Sequence, residues 1–338
     1  MTPNWFKRFR WWIPIILAGL LMIGGISGLA HKFFMRALYL VVVFVVIPEL
    51  TYLIFHRLTG RRAAICLACI PCLLFIYGTF WGFYNLKIRE EVYESTSIPE
   101  GFDGFRIVHL SDLHLGSYNI DTDFIDRVVD SVNALKPDLI VFTGDLVNVK
   151  ASEAQPFVTR LGRLSAPHGV LSVTGNHDYG YKTGDIEFEL QSLQIIHGMM
   201  GWDLLLNESR IIRRGADSIF VAGVENTTKN FFISRGDLSQ AISEVKDSSF
   251  CILLSHDPHH WRDEVLPESN VQLTLSGHTH AMQLKIFGLS PAALMFKEWS
   301  GMYYRDGRAI NVSEGIGGIV PARIGAWPEI VVITLKKS

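Results

Sequence analysis

The stretch Ile107-Val108-His109-Leu110-Ser111-Asp112-Leu113-His114-Leu115 constrains this chain more than any other. A β-branched apolar run bounded by polar punctuation reads as a buried strand. Here the run is 105–110, and it leads straight into an Asp-x-His pair. Open α/β sheets place their chemistry at the carboxyl ends of strands, where a carboxylate and an imidazole two residues apart turn toward one point. The same grammar recurs downstream. Phe142-Thr143-Gly144-Asp145 ends one apolar run, and Val173-Thr174-Gly175-Asn176-His177-Asp178 ends the next. Leu253-Leu254-Ser255-His256-Asp257 and Leu275-Ser276-Gly277-His278-Thr279-His280 end two later ones.

With His177 set aside, the donors collected at these strand ends are Asp112, His114, Asp145, Asn176, His256, His278 and His280. They are too many for one tetrahedral site and suit two divalent cations sharing a bridging carboxylate. Mixed imidazole and carboxylate ligation favours Mn²⁺, with Zn²⁺ or Fe²⁺ as alternatives, over an all-oxygen Mg²⁺ or Ca²⁺ site. Two such ions ~3.5–4 Å apart clamp substrate oxygens and lower the pKa of a bound water toward ~7. That chemistry predicts hydrolysis of a phosphoester.

The order D-x-H, G-D, G-N-H-D, H, G-H-x-H resembles the calcineurin-like metallophosphoesterase superfamily, over roughly residues 100–338. The resemblance implies an α/β fold, a four-layer sandwich of two mixed sheets flanked by helices. It assigns Asp112, His114 and His280 to a first metal, Asp145 to the bridge, and Asn176, His256 and His278 to a second. His177 would protonate the leaving alkoxide or neutralise the transition state. Many relatives carry Asp or His three residues after the bridging Asp, where this chain has Asn148. Asn148 can hold a tautomer but cannot stabilise an imidazolium by charge, so either His177 is a weaker acid catalyst here or Asp178 takes part of the orienting role. The Arg that follows in Ser/Thr protein phosphatases is missing, which counts against phosphoprotein substrates.

A narrower resemblance is to a bacterial membrane-anchored subgroup, some of whose members are linked to envelope substrates such as UDP-2,3-diacylglucosamine. Ser255-His256-Asp257-Pro258, the segment from Ser290-Pro291 through Trp299-Ser300-Gly301-Met302-Tyr303, and Gly315-Ile316-Gly317 with Pro321-Ala322-Arg323 carry it. Relatives often have a basic residue where Glu314 stands. Arg305, Arg308 and Arg323, with Trp299, Tyr303 and Tyr304, predict a lid that grips a second phosphate or head group, since Arg forks suit phosphate. Surface arginines around a strand pair are the alternative.

The rest of the composition is explained by the N-terminal quarter. Hydrophobic residues make up 49% of the chain and charged residues 19%, and the apolar excess lies before residue 85. Three apolar runs, 11–30, 37–55 and 64–84, approach the ~20 residues that cross a bilayer. They predict a membrane anchor over 1–86, a connector over 87–104 and a catalytic domain over 105–338. Gly24 and Gly28 form a small-xxx-small pair, Pro48-Glu49 interrupts the second run, and Cys66, Cys69 and Cys72 read as one helix face. Lys7, Arg8, Arg10, Arg57, Arg61 and Arg62 outweigh Lys32, Arg36, Lys87 and Arg89 on the other side. The positive-inside rule then places the N-terminus in the cytoplasm and the catalytic domain of this multi-pass cell-membrane protein outside it. Net charge is −2 with no basic run, so no nucleic-acid footprint is present.

Alternation of strand 105–110, helix 121–135, strand 138–143, helix 153–164 and strand 169–174 predicts an α/β layered domain. Shorter strands of antiparallel flavour are expected at 203–206, 209–213, 218–224, 250–255, 271–275, 282–287, 308–312 and 329–335. The function these features predict is a membrane-anchored phosphohydrolase cleaving phosphodiester or pyrophosphate bonds of an envelope substrate. A cytoplasm-facing lipid-precursor pyrophosphatase and a non-catalytic membrane sensor are the alternatives.

Overall fold

The computed structural model describes residues 40–118, 122–180, 184–228 and 233–338. The apolar run 11–30, its basic flank Lys7, Arg8 and Arg10, the pair Gly24 and Gly28, and Lys32 and Arg36 lie outside the described residues. The chain divides into two units, one ending at Gly82 and the other spanning Phe83–Ser338.

In the first unit, the segments Val42–Thr59 and Arg61–Tyr84 are long and apolar enough to cross a membrane. Pro48 is absorbed by a local change of helix type. The helix runs on from Leu40 through a π-turn, Val42–Val46, into the α-helix Ile47–Thr59, and the π-turn lies just before Pro48, which withholds its N–H from the helical ladder. Glu49 shares a pocket with Tyr52 and Arg61. Cys66, Cys69 and Cys72 sit on the helix Arg61–Phe80 as free thiols.

The second unit contains, among the described residues, strands β1 (Lys87–Ser95), β2 (Arg106–Leu110), β3 (Leu139–Phe142), β4 (Val170–Ser172), β5 (Asp203–Leu204), β6 (Glu208–Arg214), β7 (Asp217–Gly223), β8 (Cys251–Leu254), β9 (Leu273–Ser276), β10 (Gly301–Arg305), β11 (Arg308–Val312) and β12 (Glu329–Lys337). One sheet runs β1-β12-β2-β3-β4-β5 and the other β10-β11-β9-β8-β7-β6. In the first sheet only β12 and β2 pair antiparallel. β2, β3 and β4 are almost wholly buried, the apolar run expected of parallel strands covered on both faces.

Three apolar layers make the sandwich. Phe124, Ile125, Val128, Val129 and Val132 of the helix Asp123–Ala134 pack on Val108 and Ile140. Ile107, Val141, Val331 and Ile333 of the first sheet meet Val221, Ile252, Leu254 and Leu275 of the second. Trp261 and Val265 cover the outer face of the second sheet against Leu253 and Ile310. The molecule is thus two mixed sheets flanked by helices.

Several expectations are corrected. The 87–104 connector supplies β1, a parallel edge partner of β12. β7, β8, β9 and β11 pair in parallel rather than antiparallel. The 153–164 helix is two 3₁₀ turns and the short helix Val158–Leu161, because Pro156 withholds the N–H a longer helix needs. The 282–287 strand is absent: His280–Gln283 is a 3₁₀ turn with left-handed residues, followed by isolated bridges alone. Helix Ile186–Met200 and strand β10 were not foreseen.

Candidate metal centre

Each chemical group arrives on the loop that leaves the carboxyl end of a strand. Asp112 and His114 follow β2, Asp145 follows β3, Asn176 and His177 follow β4, His256 follows β8, and His278 and His280 follow β9. The two sheets bring them to one place. Asp112 Oδ1 lies 3.3 Å from His280 Nε2. His114 Nε2 is 3.1 Å from the same nitrogen and 3.4 Å from Asp145 Oδ2. On its other side, Asp145 Oδ2 is 3.2 Å from His256 Nε2. That nitrogen is 3.1 Å from Asn176 Oδ1 and 3.2 Å from His278 Nδ1. The donors of Asp112, His114, Asp145 and His280 lie within 4.8 Å of one another, as do those of Asp145, His256 and His278. Asp145 belongs to both groups.

The donor chemistry fits two cations. Imidazole nitrogens facing each other in a dry pocket repel through their lone pairs unless a proton or cation lies between them. Such contacts, His114–His280 and His256–His278, occur on either side of Asp145. His256 Nδ1 donates to the Thr143 carbonyl at 2.7 Å, which turns Nε2 toward the centre as the atom that a cation would meet in place of a proton. Burial pushes Asp112 up to about 6 and drives His114 down to about 3 and His278 down to about 4. His256 goes the other way: burial opposes its charge, but Asp145 and Asp112 raise it to about 10.

The backbone is bent to make this geometry. Asp112, His114, Asp145, His278 and His280 all have positive φ, between 47° and 73°. Non-glycine residues held there cost of order 1–3 kcal/mol each, so the surroundings must over-determine them. Asp112 N–H bonds Gly144 O at 2.9 Å and His114 N–H bonds Asp145 O at 3.0 Å. His278 N–H bonds Asp112 Oδ2 at 3.0 Å. Gly277 is required by close approach: a Cβ there would sit 1.9 Å from Ser111 Oγ and 2.2 Å from Asp112 Oδ2.

His177 stands beside both groups, its ring centroid 5.0 Å from that of His114. Its Nδ1 donates to the backbone carbonyl of Asn148 at 2.7 Å. The Asn148 side chain turns away and donates to Ser117 Oγ at 2.9 Å. The expected orienting role of that side chain is therefore corrected to its main chain. Asp178 is engaged by the main chain. Its oxygens accept the N–H groups of Asp145, Leu146, Val147 and Gly175 at 2.8–3.2 Å, stapling two motif loops together. Burial and Asp145 push it up to about 7.

The three residues expected to grip substrate divide. Arg323 is fully buried and donates to the carbonyls of Ala326 at 2.9 Å, Glu314 at 2.8 Å and Gly317. It also lies 3.3 Å from His280 Nδ1. It buttresses the centre from behind and has no fork left for phosphate. Arg305 is exposed beside Asp306 at the end of β10. Trp299 accepts from Thr279 Oγ1 at 2.6 Å through its carbonyl, next to His278 and His280. Sequence reasoning missed Lys285, which pairs with the buried Glu314; Ser300 Oγ also donates to Glu314, at 2.6 Å. It also missed an exposed apolar stretch: Phe287, Leu289 and Leu294 are at least 77% exposed, and Phe296, later in the same stretch, packs on His278 at 5.6 Å. The alternation Met282-Gln283-Leu284-Lys285-Ile286-Phe287 was the available signal.

A fold of this layering with buried His/Asp donors at its strand ends defines a metallophosphoesterase. The calcineurin-like phosphoesterase family model matches residues 105–282, and the chain belongs to that family. It is 33% identical over 277 residues to the uncharacterized metallophosphoesterase YkuE of Bacillus subtilis, covering 78% of this chain and 90% of that one. It is 31% identical over 288 residues to a transmembrane protein with metallophosphoesterase domain of Danio rerio. That match covers 82% of this chain and 63% of the relative, so the chain spans less than two thirds of it. A metallophosphoesterase of Helicobacter pylori is 30% identical over 274 residues, covering 78% of this chain and 68% of that one. Relatives are thus bacterial and eukaryotic.

Proposed function

We propose that this protein hydrolyses phosphodiester or pyrophosphate bonds at the membrane, with Asp112, His114, Asp145 and His280 holding one divalent cation and Asp145, Asn176, His256 and His278 a second. Asp145 carries the reading, because a single buried carboxylate oxygen faces both groups. When bound, the cations supply Lewis acidity toward phosphoryl oxygens and lower the pKa of a coordinated water. Mn²⁺ is the cation we favour, with Zn²⁺ or Fe²⁺ as alternatives. The chain's own residues do the rest. Donation from His177 Nδ1 to Asn148 O fixes the ring and leaves Nε2 as the other ring nitrogen, so that the imidazolium form would pass its Nε2 proton to the leaving oxygen and keep the proton on Nδ1. Asp178 and Arg323 hold the loops that carry Asp145 and His280.

An envelope substrate with an apolar part is the finer reading, with the catalytic domain on the extracytoplasmic side. The exposed Phe287, Leu289 and Leu294, in the stretch between His280 and Phe296, which packs on His278, support the apolar part, and the two bilayer-length segments support membrane residence. A hydrolysis screen of the full chain reconstituted with Mn²⁺, Zn²⁺ or Fe²⁺ tests both. Turnover is expected on diesters or pyrophosphates, and faster on lipid-bearing members than on their soluble analogues. No turnover with any metal would favour a binding protein that keeps the fold. A reporter fused at Ser338 tests the side of the membrane.

A further inference from the structure

His109 is a buried group that the chemistry above leaves unused. It lies on β2 between the two sheets, and His109, Ser111, Thr143 and Asn311 are all 0% exposed. An aliphatic residue would pack there without partners, whereas a buried imidazole must be fully hydrogen-bonded. Its partners form a line. Arg89 on β1 donates through NH1 to Asn311 Oδ1 at 3.0 Å. Asn311 Nδ2 lies 3.0 Å from His109 Nδ1, and His109 Nε2 lies 2.8 Å from Thr143 Oγ1. Thr143 Oγ1 donates to Ser111 Oγ at 2.8 Å, and Ser111 Oγ stands beside Asp112 Oδ2, the two atoms 1.9 and 2.2 Å from where a Cβ on Gly277 would sit.

The donor inventory sets the direction at every link. Arg has no acceptor, so the Asn311 oxygen faces Arg89 and the amide nitrogen faces His109. That nitrogen only donates, so His109 Nδ1 accepts and its proton sits on Nε2. Thr143 accepts that proton's bond and donates its own hydroxyl to Ser111, which leaves the Ser111 hydroxyl proton available to the neighbouring Asp112 carboxylate. All donors point from Arg89 toward Asp112. Arg89 is itself clamped, through Nε and NH2, on Glu329 at 3.1 and 3.0 Å.

We propose that Arg89, Asn311, His109, Thr143 and Ser111 form a one-way hydrogen-bond relay that sets how tightly Asp112 holds its cation, with His109 as a positioning residue. Bonds in such a chain polarise one another, by perhaps ~10–30% each, and the relay ends on one carboxylate of one metal group. The inference rests on Asp112 being a ligand.

Two substitutions test it in the full chain. Asn311→Asp removes the donor to His109 Nδ1. The imidazole proton then moves to that nitrogen, Thr143 must donate backward, and the chain reverses. Thr143→Val cuts the relay while keeping the Thr143 carbonyl position that serves His256. Binding of Mn²⁺ and of Zn²⁺ is measured by chelator competition, alongside melting temperature. Outer-shell partners of metal ligands are worth roughly 10–100-fold in affinity, so each variant should weaken one of two ions by about that factor and leave the other nearly unchanged. Leu273→Ala, in the same inter-sheet core, should lower the melting temperature without separating the two affinities. Asp112→Ala should lose one ion outright. If it does, and both relay variants bind both ions as the unmodified chain does or lose both in parallel as the core variant does, the relay is wrong. If the unmodified chain binds no ion, the reading of the metal centre itself fails.

Discussion

Replacing His177 by Ala separates catalysis from metal binding. The side chain supplies an Nε2 beside both donor groups, but it is the backbone N–H of residue 177 that holds Asp145, through Oδ1 at 2.8 Å. Alanine keeps that N–H. The variant should therefore retain its cations while losing the proton donor, a contribution of about 10²–10⁴ in rate, or roughly 3–5 kcal/mol of barrier. The loss should depend on the leaving group. An aryl ester whose phenolate departs unprotonated should lose little, whereas an alkyl ester should lose the full factor. The assay is kcat/KM for a matched pair of esters, with metal content measured on the same samples. Equal losses on both esters, or a fall in metal content parallel to the fall in rate, would refute the assignment.

Other outcomes follow from the same geometry. Asp178→Asn halves the acceptor capacity that four N–H groups share. At ~1–3 kcal/mol per stranded buried donor, the two lost bonds cost about 2–6 kcal/mol in urea unfolding, and a loss under about 1 kcal/mol would contradict the staple. Gly277→Ala drives a methyl into Ser111 Oγ and Asp112 Oδ2 and should remove one cation; unchanged metal content would show that the loop relaxes. His197 titrates outside the centre. Burial lowers it to about 4, with Nδ1 donating to Leu193 O at 2.8 Å and Nε2 unpartnered. Its folded pKa lies below the unfolded ~6.5. The stability it contributes is therefore whole above pH ~6.5 and falls by up to about 3 kcal/mol as pH drops toward 4. His197→Phe should flatten the acid slope of the melting temperature in that window, and an unchanged slope would place the loss elsewhere.

The ligand-bearing strands were legible because β2, β3, β8 and β9 are buried on both faces and end abruptly in polar residues. The same rule hid β1. Lys87–Ser95 carries Arg89, Glu90, Glu91 and Glu94 because it lies at a sheet edge, and an edge strand tolerates charge. Composition suggested a phosphate fork for Arg323, yet the side chain turns inward to satisfy the carbonyls of a tight loop. Asn148 was identified by position, but its contribution to His177 is a main-chain oxygen, which no side-chain pattern reports. Nor does any pattern reveal five left-handed residues among the donors, since that strain comes from contacts across both sheets. The expected 282–287 strand ends in the exposed Phe287, because alternation of apolar and polar residues does not report whether the apolar side is covered.

Titration of the cation-free chain with Mn²⁺, beside Asp145→Ala, tests the central claim most directly. Two ions per chain are predicted for the unmodified protein, with both tight sites lost in the variant, because one oxygen of Asp145 faces both groups of donors. Two tight ions retained without Asp145, or a single ion in the unmodified chain, would contradict the shared carboxylate and the hydrolysis built on it.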